Sequence, residues 1–299
     1  MAASAANMFT QNTKRHASFI AFVTGSCLIL HKALSELTRY SMHDGSSSHT
    51  ILIPVIASYL LYLERDRIFA LTQAQNVWGI AIALFGLLLY WSASRASSQQ
   101  NGTWLFSLQI LSVLIVWVGG FLLCYGVAEL RAAAFPILFL LMMVPLPSAI
   151  LDRVIYALQA GSTMLSYLIF QAVGTPVIRH GFLLSVPGVT IEVAKECSSI
   201  RSSIALLITC LLAAHLYLRS TWKKVLFVFL SLIVSVIKNG IRIATLTLLS
   251  IHVDPSFLTG KLHHQGGFVF FLVALLILFP VLFWLQKSER VSAVAPVET

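Results

Sequence analysis

Charge is what this 299-residue sequence most lacks. Only 10% of it is Asp, Glu, Lys or Arg, against about 25% in a soluble domain. Acidic residues are the scarcer sign, 11 against 20 basic ones. So few charges cannot clothe a water-soluble globule or keep a chain extended, which excludes both a soluble domain and a disordered one. Cysteine is sparse too. Cys27, Cys124 and Cys210 lie inside apolar runs, and no Cys-x-x-Cys pair or His/Cys ligand spacing occurs. A disulfide framework and a structural zinc site are therefore unsupported. The absence of His-Glu-x-x-His disfavours an intramembrane metalloprotease, and no metal or cofactor is expected. The first apolar block lacks a small-residue cleavage site and more blocks follow, so nothing resembles a cleavable secretory leader. No internal repeat of the transporter kind is visible.

What is present is apolar: 58% of the residues are hydrophobic, in blocks long enough to cross a bilayer. Eight such blocks run over 17–34, 51–63, 77–94, 104–124, 132–146, 198–218, 225–249 and 268–286. The fifth ends at Val144-Pro145-Leu146-Pro147, where two prolines stop a helix. The less apolar segment 151–173 carries Asp152, Arg153, Gln159, Ser162, Thr163, Ser166 and Gln171, and reads as an interfacial helix. After it, the β-rich runs 182–186 and 189–193 are separated only by Pro187-Gly188, the signature of a tight hairpin. The expected fold is all-α: a polytopic membrane helix bundle of about eight spans, one interfacial helix and a small β-hairpin before the sixth span. It forms one domain over 1–299, with flexible tails at 1–16 and 288–299.

The net charge of +9 comes from basic residues placed singly or in pairs between apolar blocks. That pattern suits membrane flanks, and no nucleic-acid partner is expected. Eight spans put both termini on one side. A small excess of basic residues there, anchored by Trp222-Lys223-Lys224, places the termini in the cytoplasm.

Three segments carry chemistry. In the seventh span Ser231, Ser235, Lys238, Arg242 and Thr245 recur every three or four residues, with Asn239 beside them, and so form one helical face. A charge in the bilayer core costs roughly 2.5–3.5 kcal/mol or more unless it finds water or a partner. That face must therefore turn into the bundle. Arg242, ~10 Å below the helix end, has the alternative of snorkelling outward, whereas Lys238 is deeper. The sixth span opens with Glu196-Cys197-Ser198-Ser199-Ile200-Arg201. A thiol at a helix start beside Lys195 and Arg201 is favoured as thiolate, with Glu192 and Glu196 opposing. The eighth span opens with Leu262-His263-His264-Gln265-Gly266-Gly267. The alternation of spans brings all three segments to one face of the membrane. A thiol, a guanidinium and an imidazole meeting there form a candidate covalent catalytic site.

With these residues in view, the chain resembles the exosortase/archaeosortase family of membrane cysteine transpeptidase-like enzymes. The matching stretches are Met142–Pro147, Val193–Ser202, Asn239-Gly240-Ile241-Arg242-Ile243 and His263–Phe271, with a weaker match over Tyr40–Leu63. Each is short, but together they follow the family's order over most of the chain. Ser199 departs from the pattern, which has glycine there. The resemblance implies that Cys197 attacks a peptide bond and holds an acyl-thioester. It implies that Arg242 serves the oxyanion or donates a proton, and that His263, with glycine four residues on, serves as acid/base or stabiliser. His264 is the fallback, and Arg201, Asn239, Lys238 and Glu196 are possible supports. The implied substrates are exported proteins with a C-terminal sorting tail: a PEP-CTERM-like motif, an apolar helix and a basic end. The implied setting is the cytoplasmic (inner) membrane with the site at its outer face, and a glycan or lipid acceptor. Two other readings are a transporter or channel whose path the seventh span lines, and a structural assembly factor for an envelope polysaccharide system.

Overall fold

The computed structural model describes residues 2–43, 49–70, 76–96, 102–194, 200–259 and 267–294. It divides into two compact units, residues 1–150 and 151–299.

In the first unit, α1 (Ala2–Ile29) and α2 (His31–His43) meet at a sharp break. The part of α1 from Thr13 to Ile29 and the part of α2 from His31 to Met42 differ in direction by 77°. The break lies inside the block read as the first span. A hydrogen bond from Trp117 Nε1 to Ser26 Oγ (3.0 Å) ties the end of α1 to the fourth block, and His31 Nδ1 meets the carbonyl of Leu28 at 3.0 Å. A side chain that takes up a carbonyl in this way accounts for a kink without proline. The second block is the short helix α3 (Leu52–Leu63), followed by α4 (Arg65–Ile68). Its 12 residues reach ~18 Å, short of a ~30 Å hydrocarbon core.

The long helices α5 (Trp78–Arg95) and α6 (Gly102–Cys124) lie backbone to backbone. A β-carbon at Gly79 would fall 2.5 Å from the carbonyl oxygen of Gly119, and one at Gly119 would fall 2.6 Å from the nitrogen of Ala83. Small residues at this spacing let two membrane helices approach closely. Then follow α7 (Val127–Ala132), α8 (Ala134–Phe139) and a 3-10 turn, Leu140–Met143, which stops at Val144 ahead of Pro145. Ser107 Oγ donates to the carbonyl of Pro145 (2.7 Å), holding that non-helical stretch against α6.

The second unit starts in α9 (Ser148–Ala172). It differs from the expected interfacial helix in its burial. Gln159, Ser162, Thr163, Ser166 and Phe170 are buried, while Val154, Tyr156, Met164 and Leu168 are exposed. Asp152 and Arg153 near its start and Gln171 near its end stay exposed, so the inward polar face is confined to the stretch from Gln159 to Ser166. It ends in a Schellman cap at Gly174. The N–H of Thr175 reaches the carbonyl of Phe170 (2.9 Å) and that of Gly174 the carbonyl of Gln171 (3.1 Å), with Gly174 at φ +74° and Pro176 following.

The hairpin is present and extended by one strand. Strands β1 (Ile178–His180), β2 (Leu183–Val186) and β3 (Val189–Glu192) form an antiparallel sheet in sequence order. Pro187 pre-sets the first turn position, and Gly188 at φ +85° fills the second, which only glycine occupies without strain. The buried Leu184 and Val186 pack with Phe170, Val193, Ile243 and Ala244.

Helices α10 (Ile200–Tyr217), α11 (Thr221–His252) and α13 (Gly267–Val294) pack through Leu206, Cys210, Phe227, Val234, Ala274 and Leu278, and the short α12 (Ser256–Thr259) follows α11. The 32 residues of α11 span ~48 Å, well beyond a bilayer core. Its start is tied to the end of α13. The carboxylate of Glu289 accepts the backbone N–H groups of Arg219 and Ser220, each at 2.9 Å, and Lys223 Nζ donates to Ser288 Oγ at 2.7 Å. Lys223, expected as a membrane anchor, is thus buried against protein, and Trp222 is the exposed member of that turn.

Among the described residues, five helices are long and apolar enough to cross a membrane, or up to seven if each bent pair counts as one span. The polytopic all-α bundle stands. The count of about eight is reduced, because the second block is too short and the first and fifth are broken.

Candidate functional site

The polar face of α11 turns inward, as a buried cation requires. Lys238 is 2% exposed and Asn239 1%. Ser231 and Ser235 are equally sealed, whereas Thr245, expected to continue the stripe, is exposed. Past Arg242 the buried polar positions are Thr247 and Ser250 instead. Arg242 is half-buried with its Nε shielded from solvent, and it lies one turn, ~6 Å, beyond Lys238.

Ser235, Lys238 and Asn239 each meet a partner from a neighbouring helix. Lys238 Nζ donates to Ser202 Oγ at 2.5 Å, and Ser235 Oγ donates to Ser203 Oγ at 2.6 Å, both across to the first turn of α10. On the other flank, Asn239 Nδ2 donates to Ser162 Oγ (2.9 Å), and Ser166 Oγ, bonded to the carbonyl of Ser162, also reaches that of Gly240 (3.0 Å). Glycines permit the crossing of α9 and α11. A β-carbon at Gly240 would stand 2.8 Å from the Leu165 side chain, and one at Gly161 would stand 2.7 Å from Val236. A buried ammonium is tolerable only with charge-assisted bonds of this kind.

Gln159 extends the arrangement to the sheet. Its buried Nε2 donates to the carbonyl of Val193 at 2.8 Å, just past β3. Glu196 and Cys197 lie outside the described residues, as do His263 and His264. The chain on both sides of Cys197 is nonetheless held: Val193 by Gln159 of α9, and Ser202 by Lys238 of α11. Arg201, expected beside the thiol, is exposed.

Sequence reasoning singled out Lys238, Asn239 and Arg242, and the structure brings the first two into one network with α9 and α10. It missed Ser202, Ser203, Gln159, Ser162 and Ser166 as participants. A signal was available for α9, because 159, 162, 163 and 166 fall at helical spacing and so form a second polar stripe that needs a buried partner.

The fold and this network define a multi-pass membrane protein with a polar, cation-bearing interior along the middle of α11. Residues 41–280 match the transmembrane exosortase family model, and the chain belongs to that family. It is a family of membrane cysteine transpeptidases acting on proteins with sorting signals. No curated protein and no solved structure matches the chain.

Proposed function

We propose that this exosortase cleaves the C-terminal sorting tail of exported proteins through an acyl-thioester on Cys197. The observation that carries this reading is the pair of anchors around Cys197, Gln159 to Val193 and Lys238 to Ser202. They tether both flanks of the thiol to α9 and to the face of α11 that bears Arg242.

In this mechanism the Cys197 thiolate attacks the carbonyl carbon of the scissile peptide bond. Arg242 faces the oxyanion that forms, an interaction strengthened in a poorly hydrated site. A guanidinium holds its proton too tightly to act as the acid. His263, with His264 as the alternative, takes the thiol proton and returns it to the leaving amine as the C–N bond breaks. The thioester is resolved by water, giving hydrolysis, or by an amine or hydroxyl of a glycan or lipid acceptor, giving transfer. Asn239 and Lys238 hold the wall of the site, with Arg201 and Glu196 contributing charge at its mouth. The enzyme sits in the inner membrane with the site at the outer face. An open apolar groove of about 750 Å³ between α10 and α13, lined by Cys210, Ala213, Leu275, Phe279 and Phe283 among others, offers a face against which part of the tail's apolar helix can pack. Ser235, Lys238 and Asn239 are engaged by α9 and α10, which favours this reading over a solute path along α11.

The test is co-expression with an exported protein bearing such a tail. Cys197→Ala and Arg242→Ala each leave uncleaved precursor in the membrane. Normal processing by the Cys197→Ala protein overturns the reading.

A further inference from the structure

The sheet leaves one edge of β3 open, and its register says which groups face outward. The N–H of Val193 bonds to the carbonyl of Phe182 at 3.0 Å. The register continues with Leu184 opposite Ile191 and Val186 opposite Val189. Bonded pairs alternate along an antiparallel ladder. The amides of Val189, Ile191 and Val193 therefore turn toward β2, and those of Thr190 and Glu192 turn away from it. The hydroxyls of Ser185 and Thr190 meet at 3.2 Å across the strands, as befits a non-bonded pair. With the order β1-β2-β3, no fourth strand lies beyond β3 among the described residues, and Thr190 and Glu192 are both exposed.

We propose that this edge receives the extended segment of the substrate that precedes its apolar helix, added as a fourth strand. The proposal rests on the exosortase reading above. Its first support is chemical. A chain leaving a membrane helix carries amides that need partners where water is thin, and an open edge offers donors and acceptors at the matching two-residue interval. The second is continuity. From Glu192 the chain passes Val193, pinned by Gln159, and reaches Cys197 five residues on, at most ~18 Å away. A peptide paired along β3 is thereby delivered toward the nucleophile without a pocket for every side chain. The third is the contrast with the opposite edge. At β1, Arg179 folds its guanidinium back onto the carbonyl of Gly181 (3.1 Å) and the sulfur of Met164 (3.2 Å). That strand leads back along the chain to the cap of α9 at Gly174. The shortness of β3 and the charge of Glu192 disfavour edge-to-edge pairing between copies.

The test uses the full chain co-expressed with an exported protein carrying a sorting tail. Thr190→Pro and Glu192→Pro delete outward N–H groups and spare the donors to β2, a placement that edge strands tolerate. Thr190→Val and Glu192→Gln keep the amide. Strand addition predicts about a tenfold slower cleavage for each proline variant and a change of under about twofold for Val and Gln. A second arm leaves the backbone alone. Thr190→Cys in the Cys197→Ala protein is paired with single cysteines along the substrate's pre-helix segment, and disulfide yields should peak at alternate positions. Unimpaired cleavage by the proline variants overturns the proposal. So does a flat or absent cross-linking profile, or a dominant cross-link between two copies of this chain. Should a proline variant fail to purify as a folded protein, the cross-linking arm decides. Processing that survives Cys197→Ala defeats the exosortase reading itself. Cys197-dependent processing with active proline variants defeats strand addition alone.

Discussion

Lys238 shows how one residue in the wrong solvent announces a site. Its ammonium sits 2% exposed on a membrane helix and is held by Ser202 Oγ at 2.5 Å. Ser202→Ala removes that partner and leaves a buried charge short of a bond, a loss of about 1–3 kcal/mol. Lys238→Met keeps the volume and removes the charge, so it costs less than Ser202→Ala. Thermal unfolding of the two variants in detergent checks that order, and the opposite order contradicts the role assigned to the bond. The cation was legible in the sequence because a charge inside an apolar run has so few explanations. Its partners were not. Ser202 and Ser162 are unremarkable in a linear reading, and only the crossing of α9, α10 and α11 makes them ligands of Lys238 and Asn239. Thr245 was misread for a related reason: its helical spacing extends the stripe, but beyond Arg242 the buried face continues through Ile243, Thr247 and Ser250 and leaves Thr245 exposed.

At the scale of elements, the glycine contacts set the packing. A side chain at Gly119 meets the backbone of Ala83, and one at Gly240 meets Leu165. Neither backbone nor a packed leucine yields readily. Gly119→Val is expected to destabilise the α5–α6 pair by about 2 kcal/mol or more, read as a lowered melting temperature with the purified protein still membrane-inserted. Gly240→Val pushes α9 away from α11 and breaks the Ser162–Asn239 bond, so it should depress tail processing more than stability. Unchanged processing would argue that the α9–α11 crossing has no part in the site. The hairpin was readable from Pro187-Gly188 and alternating β-formers. Strand β1 was not, because three residues containing Arg179 and His180 carry no apolar pattern. The α1–α2 break was equally hidden, since it lies inside a continuous apolar run and involves a bond from His31 to the Leu28 carbonyl that block length does not reveal. The inward polar face of α9 from Gln159 to Ser166 was not legible because composition records how polar a helix is and not which way it faces.

For the whole molecule, scarce charge and the length of the apolar blocks sufficed to show a multi-pass bundle, and the family match over residues 41–280 accords with it. The number of crossings was harder to read, because block length does not reveal where a helix bends. Two topological outcomes follow from the proposed orientation. A fluorescent reporter fused after Thr299 should fold in the cytoplasm, since α13 runs from the end that carries Arg242 toward the other. A membrane-impermeant maleimide should label the chain from the outer side at Cys197, whereas Cys124 and Cys210, both buried, stay unlabelled. Labelling that persists in the Cys197→Ser protein would place another thiol at the surface.

The most direct measurement is to catch the covalent intermediate. The purified full-length enzyme, mixed with a tail-bearing substrate and quenched in acid, should show by intact-mass analysis an adduct equal to the acyl fragment. That adduct should map to Cys197, be released by hydroxylamine and accumulate in Arg242-intact protein lacking an acceptor. Tail cleavage proceeding with no such adduct on Cys197, or with equal speed in the Cys197→Ala protein, would contradict the account.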